Sequence, residues 1–218
     1  MAATETIRIP LGFKAPDFTL LDTISDKYLS LKELKGEKAT LVMFICNHCP
    51  YVKHVNKQLV SLANDYSSKG IAFIAISSND IVNYPQDGPE LMKENAREEQ
   101  YPFPYLYDET QEVAKAYHAA CTPDFSIFDK DLLCMYRGQL DNSRPKNDSV
   151  ADGKDIRAAL DNILAGMPVS EQQIPSLGCN IKWKNNWQLT VNDAQFFIIV
   201  FMPNFIHSTI HKFYNSTI

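Results

Sequence analysis

Two cysteines separated by two residues, Cys46 and Cys49, are the side chains of this sequence best suited to do chemistry. They follow an apolar run at 39–45 and directly precede Pro50. A cysteine reacts as the thiolate, and the unpaired N–H groups at a helix N-terminus favour that anion. A spacing of three residues is about one helical turn, so the two sulfurs can form a disulfide and open it again. The pair predicts a redox-active dithiol in which Cys46 lies at the exposed end and attacks, and Cys49 resolves.

His48 stands between the two cysteines. A protonated imidazole there would lower the pKa of the attacking thiolate and stabilise the reduced form, which predicts a comparatively oxidising couple. Other interpretations of the motif stay open: His48 can be a solvated loop residue, and the cysteines can be a buried structural pair. Cys46, Cys49 and one histidine could also bind zinc or copper(I). The other histidines are His54, His118, His207 and His211.

The hydrophobic pattern predicts the elements that must position this dithiol. The runs at 39–45 and 71–77 are typical of strands buried on both faces. Between them, residues 50–66 carry apolar side chains at three-and-four spacing, which predicts a helix, with a stop near Gly70. This βαβ unit places the cysteines at the junction of a strand and a helix, and a right-handed crossover follows.

The remaining segments complete an α/β order. We predict a first strand at 15–22 and an insertion at 79–104, which is rich in polar residues and proline and contains a helix. The segments 124–128 and 132–136 predict a hairpin, and 156–164 predicts a last amphipathic helix. The periodicity by itself supports no more than this α/β class.

Composition excludes several functional classes. The chain has 218 residues, 45% hydrophobic and 22% charged, which is enough for a core without disulfide support. Its formal charge of −5 and the lack of a basic cluster argue against a nucleic-acid partner. The first twenty residues contain no signal-like apolar region, and no run approaches the ~18 apolar residues of a membrane span. We therefore expect a cytoplasmic protein with no membrane partner. In a reducing compartment its five cysteines do not indicate a structural disulfide framework.

Six short segments carry a family resemblance. They are APDFTL at 15–20, SLKELKG at 30–36, CNHCP at 46–50, TPD at 122–124, YRG at 136–138 and GCNIKW at 178–183. Together, over about residues 10–184, they resemble the AhpC/TSA-type, peroxiredoxin-like branch of the thioredoxin-like superfamily. The resemblance implies a thioredoxin fold, a central mixed sheet flanked by helices, with an N-terminal extension and an insertion before the cis-proline loop. We expect one such domain over 1–184 and a C-terminal tail of unknown role over 185–218.

The resemblance also implies roles for residues far from the cysteines in sequence. Pro123 would be a cis-proline that faces the dithiol, and the loop before it would offer backbone groups to an extended substrate. We expect substrate contacts at Thr122, Pro50 and Asn47. Cys121 is a possible third redox thiol or a packed side chain.

Departures from the peroxiredoxin pattern bear on the activity. Cys49 would match the peroxidatic cysteine, which in that family has a hydroxyl residue three positions earlier and a partner arginine. Here Cys46 takes the place of the hydroxyl residue, and the segment 122–123 lies where the arginine is expected. Arg137 and Arg144 are the possible substitutes. Without such groups directed at a peroxide, its transition state is hard to stabilise.

Three functions remain, in this order. The first is a thiol–disulfide oxidoreductase that acts on protein or small-molecule disulfides. The second is an antioxidant thiol peroxidase with Cys49 as the peroxidatic residue, and the third is a non-enzymatic thiol protein that binds metal or a partner. We expect no organic cofactor, and electrons would come from a thioredoxin or glutathione system. Cys179 can be a resolving, partner-linking or packed thiol, Cys134 is expected in the core, and the apolar run 196–201 can add an edge strand.

Overall fold

The computed structural model describes residues 3–147 and 149–184. The predicted tail, with its apolar run and the last two histidines, lies outside the described residues. The strands are β1 Ala3–Glu5, β2 Thr19–Asp22, β3 Lys27–Ser30, β4 Ala39–Phe44, β5 Ile71–Ser77, β6 Tyr105–Tyr107, β7 Cys121–Thr122, β8 Asp124–Asp129, β9 Cys134–Gly138 and β10 Leu177–Asn180. The α-helices are α1 Leu31–Leu34, α2 Pro50–Tyr66, α3 Pro89–Glu98, α4 Glu112–Ala116 and α5 Lys154–Leu164.

A mixed sheet with the strand order β3-β2-β6-β5-β4-β8-β9 forms the centre of the fold. Strands β4, β5 and β6 run parallel to one another, whereas β8 runs antiparallel to β4, and β9 to β8. Every residue of β4 is buried, as expected for a strand covered on both faces. The predicted thioredoxin fold is therefore confirmed.

Side chains of β4 alternate between two cores, one on each face of the sheet. Leu41 and Met43 pack into the core beneath α2, α3 and α5, and Val42 and Phe44 pack into the core that α1 and α4 cover. The predicted helix after the cysteines, the helix of the insertion and the last amphipathic helix are all present as α2, α3 and α5. No helix in the described part of the chain is long and apolar enough to cross a membrane.

The strand predicted at 15–22 corresponds to β2, which is shorter because it begins only at Thr19. Residues before it bond elsewhere: Lys14 forms a bridge with Leu133, and Ala15 donates to the Leu132 carbonyl oxygen. Pro16 has no N–H to give to a ladder, so pairing starts after it. The predicted hairpin of β8 and β9 is present with a β-bulge between Ile127 and Phe128.

A second, three-stranded sheet has the order β1-β10-β7 and was not predicted. Its strand β10 pairs antiparallel with both neighbours, and Cys179 lies opposite Thr122. The short strand β7 directly precedes Pro123. This small sheet therefore places the end of the described domain beside the dithiol.

Candidate active site

The cysteine pair lies where β4 leads into α2, as the sequence predicts. Cys46 is in the connection that follows Phe44, and Cys49 is the residue that caps the N-terminus of α2. Pro50 is the first helical residue, a position at which its missing N–H costs nothing. Both cysteines are free thiols in the structure. The helix N-terminus thus presents its unpaired N–H groups at Cys49.

Thr122 contacts both sulfurs, and the Thr122–Pro123 peptide bond is cis, as the resemblance implies. The Thr122 hydroxyl oxygen lies 3.3 Å from Cys46 Sγ, and the Thr122 carbonyl oxygen lies 3.1 Å from Cys49 Sγ. Folding therefore brings together a strand–helix junction and a loop 76 positions further along the chain.

The two thiols differ in how readily they lose a proton. A hydrogen bond from the Cys46 thiol lowers the pKa of Cys49 to about 5, against the effect of burial, and the thiol of Cys179 and the backbone N–H groups of Val52 and Cys179 add to the lowering. The pKa of Cys46 is raised well above its ordinary value, because its proton is held on the Cys49 sulfur, because it is buried, and because Asp87 is close. The Thr122 hydroxyl opposes the rise at Cys46, and burial and the Thr122 carbonyl contact oppose the lowering at Cys49, since an oxygen acceptor favours its thiol form. The order of the two pKa values favours Cys49 as the site of the thiolate.

Contrary to the sequence prediction, Cys46 does not lie at the exposed end of the motif. Cys46 is 1% exposed and Cys49 is fully buried. The reason is the insertion, whose 3₁₀ turn at 85–87 folds against the motif. The Asn47 side-chain NH₂ donates to the Gln86 carbonyl oxygen at 2.9 Å, and Asn47 Oδ1 accepts from the Tyr105 hydroxyl at 3.1 Å. Asn47, predicted to bind substrate, thus anchors the insertion over the motif.

Asp87, on the insertion, is a site residue that sequence reasoning missed. Its fully buried carboxylate accepts hydrogen bonds from the backbone N–H groups of Asn47 and His48 at 2.9 and 3.3 Å. It also lies 2.6 Å from His48 Nδ1 and accepts from the Asn79 side chain at 2.8 Å. No periodic pattern marks such a residue, and 39 positions separate it from His48. Its negative charge raises the pKa of Cys46, opposite to the effect predicted from His48 alone.

His48 is held on two sides. Its ring stacks on Tyr84 with 5.5 Å between ring centres, and Nδ1 faces Asp87. Ligand atoms of Cys46, His48 and Asp87 all lie within 4.8 Å of one another, the one such group in the described ranges. Thiolate, imidazole and carboxylate are all zinc ligands, so the histidine that a metal would use is His48 rather than His54 or His118.

Cys121, the other possible redox thiol, faces away from the pair. Its sulfur lies 3.5 Å from the Pro123 carbonyl oxygen and 3.9 Å from the Thr6 hydroxyl. Neighbouring residues of a strand point to opposite sides, so Thr122 faces the dithiol and Cys121 does not. Burial raises the pKa of Cys121 well above its ordinary value. The structure gives it the surroundings of a packed thiol.

The two candidate arginines form their hydrogen bonds away from the dithiol. Arg137 is buried and donates to Ile7, Ser126 and His118 at 2.8–3.0 Å. Arg144 donates within its own loop, to Asp141, Ser143 and Gln139. The Arg137 guanidinium therefore has its hydrogen bonds committed to buried partners, whereas Arg144 lines the same cleft as Pro123.

A small cleft of about 20 Å³, room for about one water molecule, lies beside Pro123. Its walls include Tyr51 and His54 of α2, Ser143 and Leu177. Among the described residues, His54 Nε2 and Ser143 Oγ are buried polar atoms without a hydrogen-bond partner. These two atoms are free to bind a polar group that enters the cleft.

Comparisons with known proteins agree with this architecture. The model of the AhpC/TSA family matches residues 11–136. An uncharacterized conserved protein from Geobacillus kaustophilus is 60% identical, with a TM-score of 0.84 over 86% of this chain and 99% of that one. A hypothetical protein from Sinorhizobium meliloti 1021 is 43% identical, with a TM-score of 0.81 over 84% and 99%. Peroxidoxin BcpB from Mycobacterium tuberculosis shares the fold at 15% identity and a TM-score of 0.55, over 72% and 98%. No curated protein matches the chain.

Proposed function

This chain belongs to the AhpC/TSA family, and on that premise we propose that it is a thiol–disulfide oxidoreductase whose reactive group is the Cys49 thiolate. The observation that carries the proposal is the arrangement of the two sulfurs. Cys49 is the N-cap residue of α2, Cys46 lies three residues earlier, and Thr122 contacts both sulfurs, at 3.3 and 3.1 Å. The thiol of Cys46 lowers the pKa of Cys49. A thiolate beside a protonated partner thiol is what the two steps of disulfide exchange need.

In the first step, the Cys49 thiolate attacks one sulfur of a substrate disulfide. A bond forms between Cys49 Sγ and that sulfur, the substrate S–S bond breaks, and the other substrate sulfur leaves as a thiolate. In the second step, Cys46 gives its proton to the leaving thiolate or to water and attacks Cys49 Sγ. The Cys46–Cys49 disulfide forms, the second substrate thiolate leaves, and the substrate has been reduced by two electrons. A thioredoxin or glutathione system would return the electrons.

The backbone of Thr122 bears on which substrates fit. An extended substrate was predicted to bind this segment, but Thr122 is paired with Cys179 of β10. A polypeptide would have to displace β10 before it paired there. Small disulfides need no backbone pairing with Thr122, and the cleft beside Pro123 offers His54 and Ser143 to a single polar group.

The test uses fully reduced protein mixed with glutathione disulfide, quenched in acid at intervals and analysed by intact mass. The wild type should form the Cys46–Cys49 disulfide and release two glutathione thiols per chain. The Cys49→Ser variant should not react, and Cys46→Ser should still complete the first step. Loss of the first step in Cys46→Ser and its survival in Cys49→Ser would reverse the two roles. A wild type inert to the disulfide would reject the proposal.

A thiol peroxidase is the second candidate, and the low pKa of Cys49 favours it. The Cys49 thiolate would attack hydrogen peroxide, release hydroxide and become a sulfenic acid, which Cys46 would convert to the disulfide with loss of water. The hydrogen bonds of Arg137 oppose this candidate.

Arg137→Gln should therefore leave the rate of oxidation by peroxide within about twofold. It should lower the free energy of unfolding by about 3 kcal/mol, because buried Asp124, 3.7 Å away, loses its partner charge. Oxidation by peroxide that is faster than by disulfide, and lost in Arg137→Gln, would make the peroxidase the better function.

A further inference from the structure

Strand β10 approaches the segment before Pro123 unusually closely. Gly178 has no side chain, and a Cβ there would lie 2.6 Å from the Thr122 carbonyl carbon and closer still to its oxygen. Only glycine permits this contact, which brings the next residue, Cys179, opposite Thr122. The close approach places the thiol of Cys179 on β10 near the dithiol rather than at the surface.

Cys179 lies next to Cys49 as well. It is 4% exposed and packs in the same core cluster as both cysteines of the pair. Its partner across the strand pairing is Thr122, whose carbonyl oxygen lies 3.1 Å from Cys49 Sγ. The Cys179 thiol and backbone N–H also help to lower the pKa of Cys49. Cys49 therefore has two neighbouring thiols, Cys46 and Cys179, with which it could form a disulfide.

The other two cysteines do not share this arrangement. Cys121 turns towards Thr6 and the Pro123 carbonyl oxygen, and Cys134 packs in the core on the opposite face of the sheet. Cys121 is also a matched comparison for Cys179, because the two lie on paired strands and are equally buried thiols.

We propose that Cys179 is a third redox thiol, which exchanges with Cys46 as the disulfide partner of Cys49. This rests on the proposed function in one respect, the reactivity of Cys49. In the exchange, Cys179 loses its proton and attacks Cys49 Sγ in the Cys46–Cys49 disulfide. The Cys49–Cys179 bond forms, the bond to Cys46 breaks, and the proton goes to the Cys46 sulfur. The step is electron-neutral and needs no further oxidant.

The exchange has a structural consequence. A Cys49–Cys179 disulfide ties β10 covalently to the N-terminus of α2 and returns Cys46 as a thiol. Cys179 would equally resolve a mixed disulfide on Cys49 when Cys46 is missing. Cys49 thus has two alternative resolving partners, one in the connection before α2 and one on β10.

The first experiment treats reduced Cys46→Ser with glutathione disulfide, blocks the remaining thiols in acid and maps the disulfides by mass spectrometry. We expect the Cys49–Cys179 disulfide and loss of glutathione from the protein. Cys46→Ser combined with Cys179→Ala should keep glutathione on Cys49, and Cys46→Ser combined with Cys121→Ala should behave as Cys46→Ser alone. If Cys46→Ser keeps glutathione on Cys49 to the same extent as Cys46→Ser combined with Cys179→Ala, the proposal is overturned.

A second measurement separates this result from a failure of the proposed function. If glutathione attaches to Cys49 in none of the variants, the proposed activity is wrong. The wild type is then oxidised directly with diamide and mapped in the same way. Both the Cys46–Cys49 and the Cys49–Cys179 disulfides are expected, and the second should be lost in Cys179→Ala and in Cys179→Ser, whose circular dichroism confirms folding. The Cys46–Cys49 disulfide alone would refute the third thiol.

Discussion

The reduction potential of the Cys46–Cys49 pair should fall by about 30 mV per pH unit across the neutral range, half the slope of an ordinary dithiol. The reduced pair keeps one proton there, because the pKa of Cys49 is about 5 and that of Cys46 is well above 9.0. Two electrons then arrive with one proton rather than two. Reduction takes up that proton from solution, so a higher pH makes reduction less favourable and the potential falls as the pH rises.

The size of the effect at pH 7 follows from the same pKa. A Cys49 thiol with a pKa of about 5 rather than 9.0 is ionised at about pH 7. Its ionisation there stabilises the reduced form by the free energy that corresponds to the two pH units between about 5 and about 7. At about 1.4 kcal/mol for each, this amounts to about 2.7 kcal/mol. For a two-electron couple the corresponding shift is about 60 mV towards a more oxidising potential.

The assay equilibrates the protein with glutathione redox buffers at several pH values across the neutral range. Acid quenching, alkylation and disulfide mapping then give the fraction of the Cys46–Cys49 bond. Cys179→Ala removes the thiol that helps to lower the pKa of Cys49 and should lower the potential, whereas Cys121→Ala should leave it unchanged. A slope of about 59 mV per pH unit would refute the reasoning. It would mean that the Thr122 carbonyl contact prevails and that Cys49 is a thiol.

Two further substitutions test the contacts that hold the site together, by urea unfolding of the reduced protein. Gly178→Ala should lower the free energy of unfolding by about 3 kcal/mol, because its methyl group would overlap the Thr122 carbonyl. Gly166→Ala, at an open position with a φ of 66°, should cost about 1 kcal/mol, and equal costs would contradict the close-approach argument. Asp87→Asn should cost about 3 kcal/mol, because a buried carboxylate with four donors loses its charge. Its control, Asp26→Asn at an exposed ion pair, should change stability by less than about 1 kcal/mol, and an Asp87 variant as stable as this control would show that the buried network contributes little.

Local patterns in the sequence were sufficient to predict most of the strands and helices around the dithiol. The apolar runs of β4 and β5, the amphipathic spacing of α2 and the hairpin of β8 and β9 each reflect burial over neighbouring residues, which periodicity reports directly. The position of the dithiol at a strand–helix junction follows from the same local signal. Strand β10 escaped prediction because four residues that include a glycine carry no such period.

The chemistry of the site depended on contacts that no local pattern reports. The sequence by itself determined that two cysteines stand at a helix N-terminus with a histidine between them, because those relations lie within one turn of chain. Only the tertiary structure decided which sulfur carries the charge. That choice depends on burial, on Asp87 of the insertion and on Cys179 of β10, which chain folding brings to the motif from distant positions. Desolvation and hydrogen bonding act through space, so the order of the two pKa values is the reverse of the order expected from the sequence.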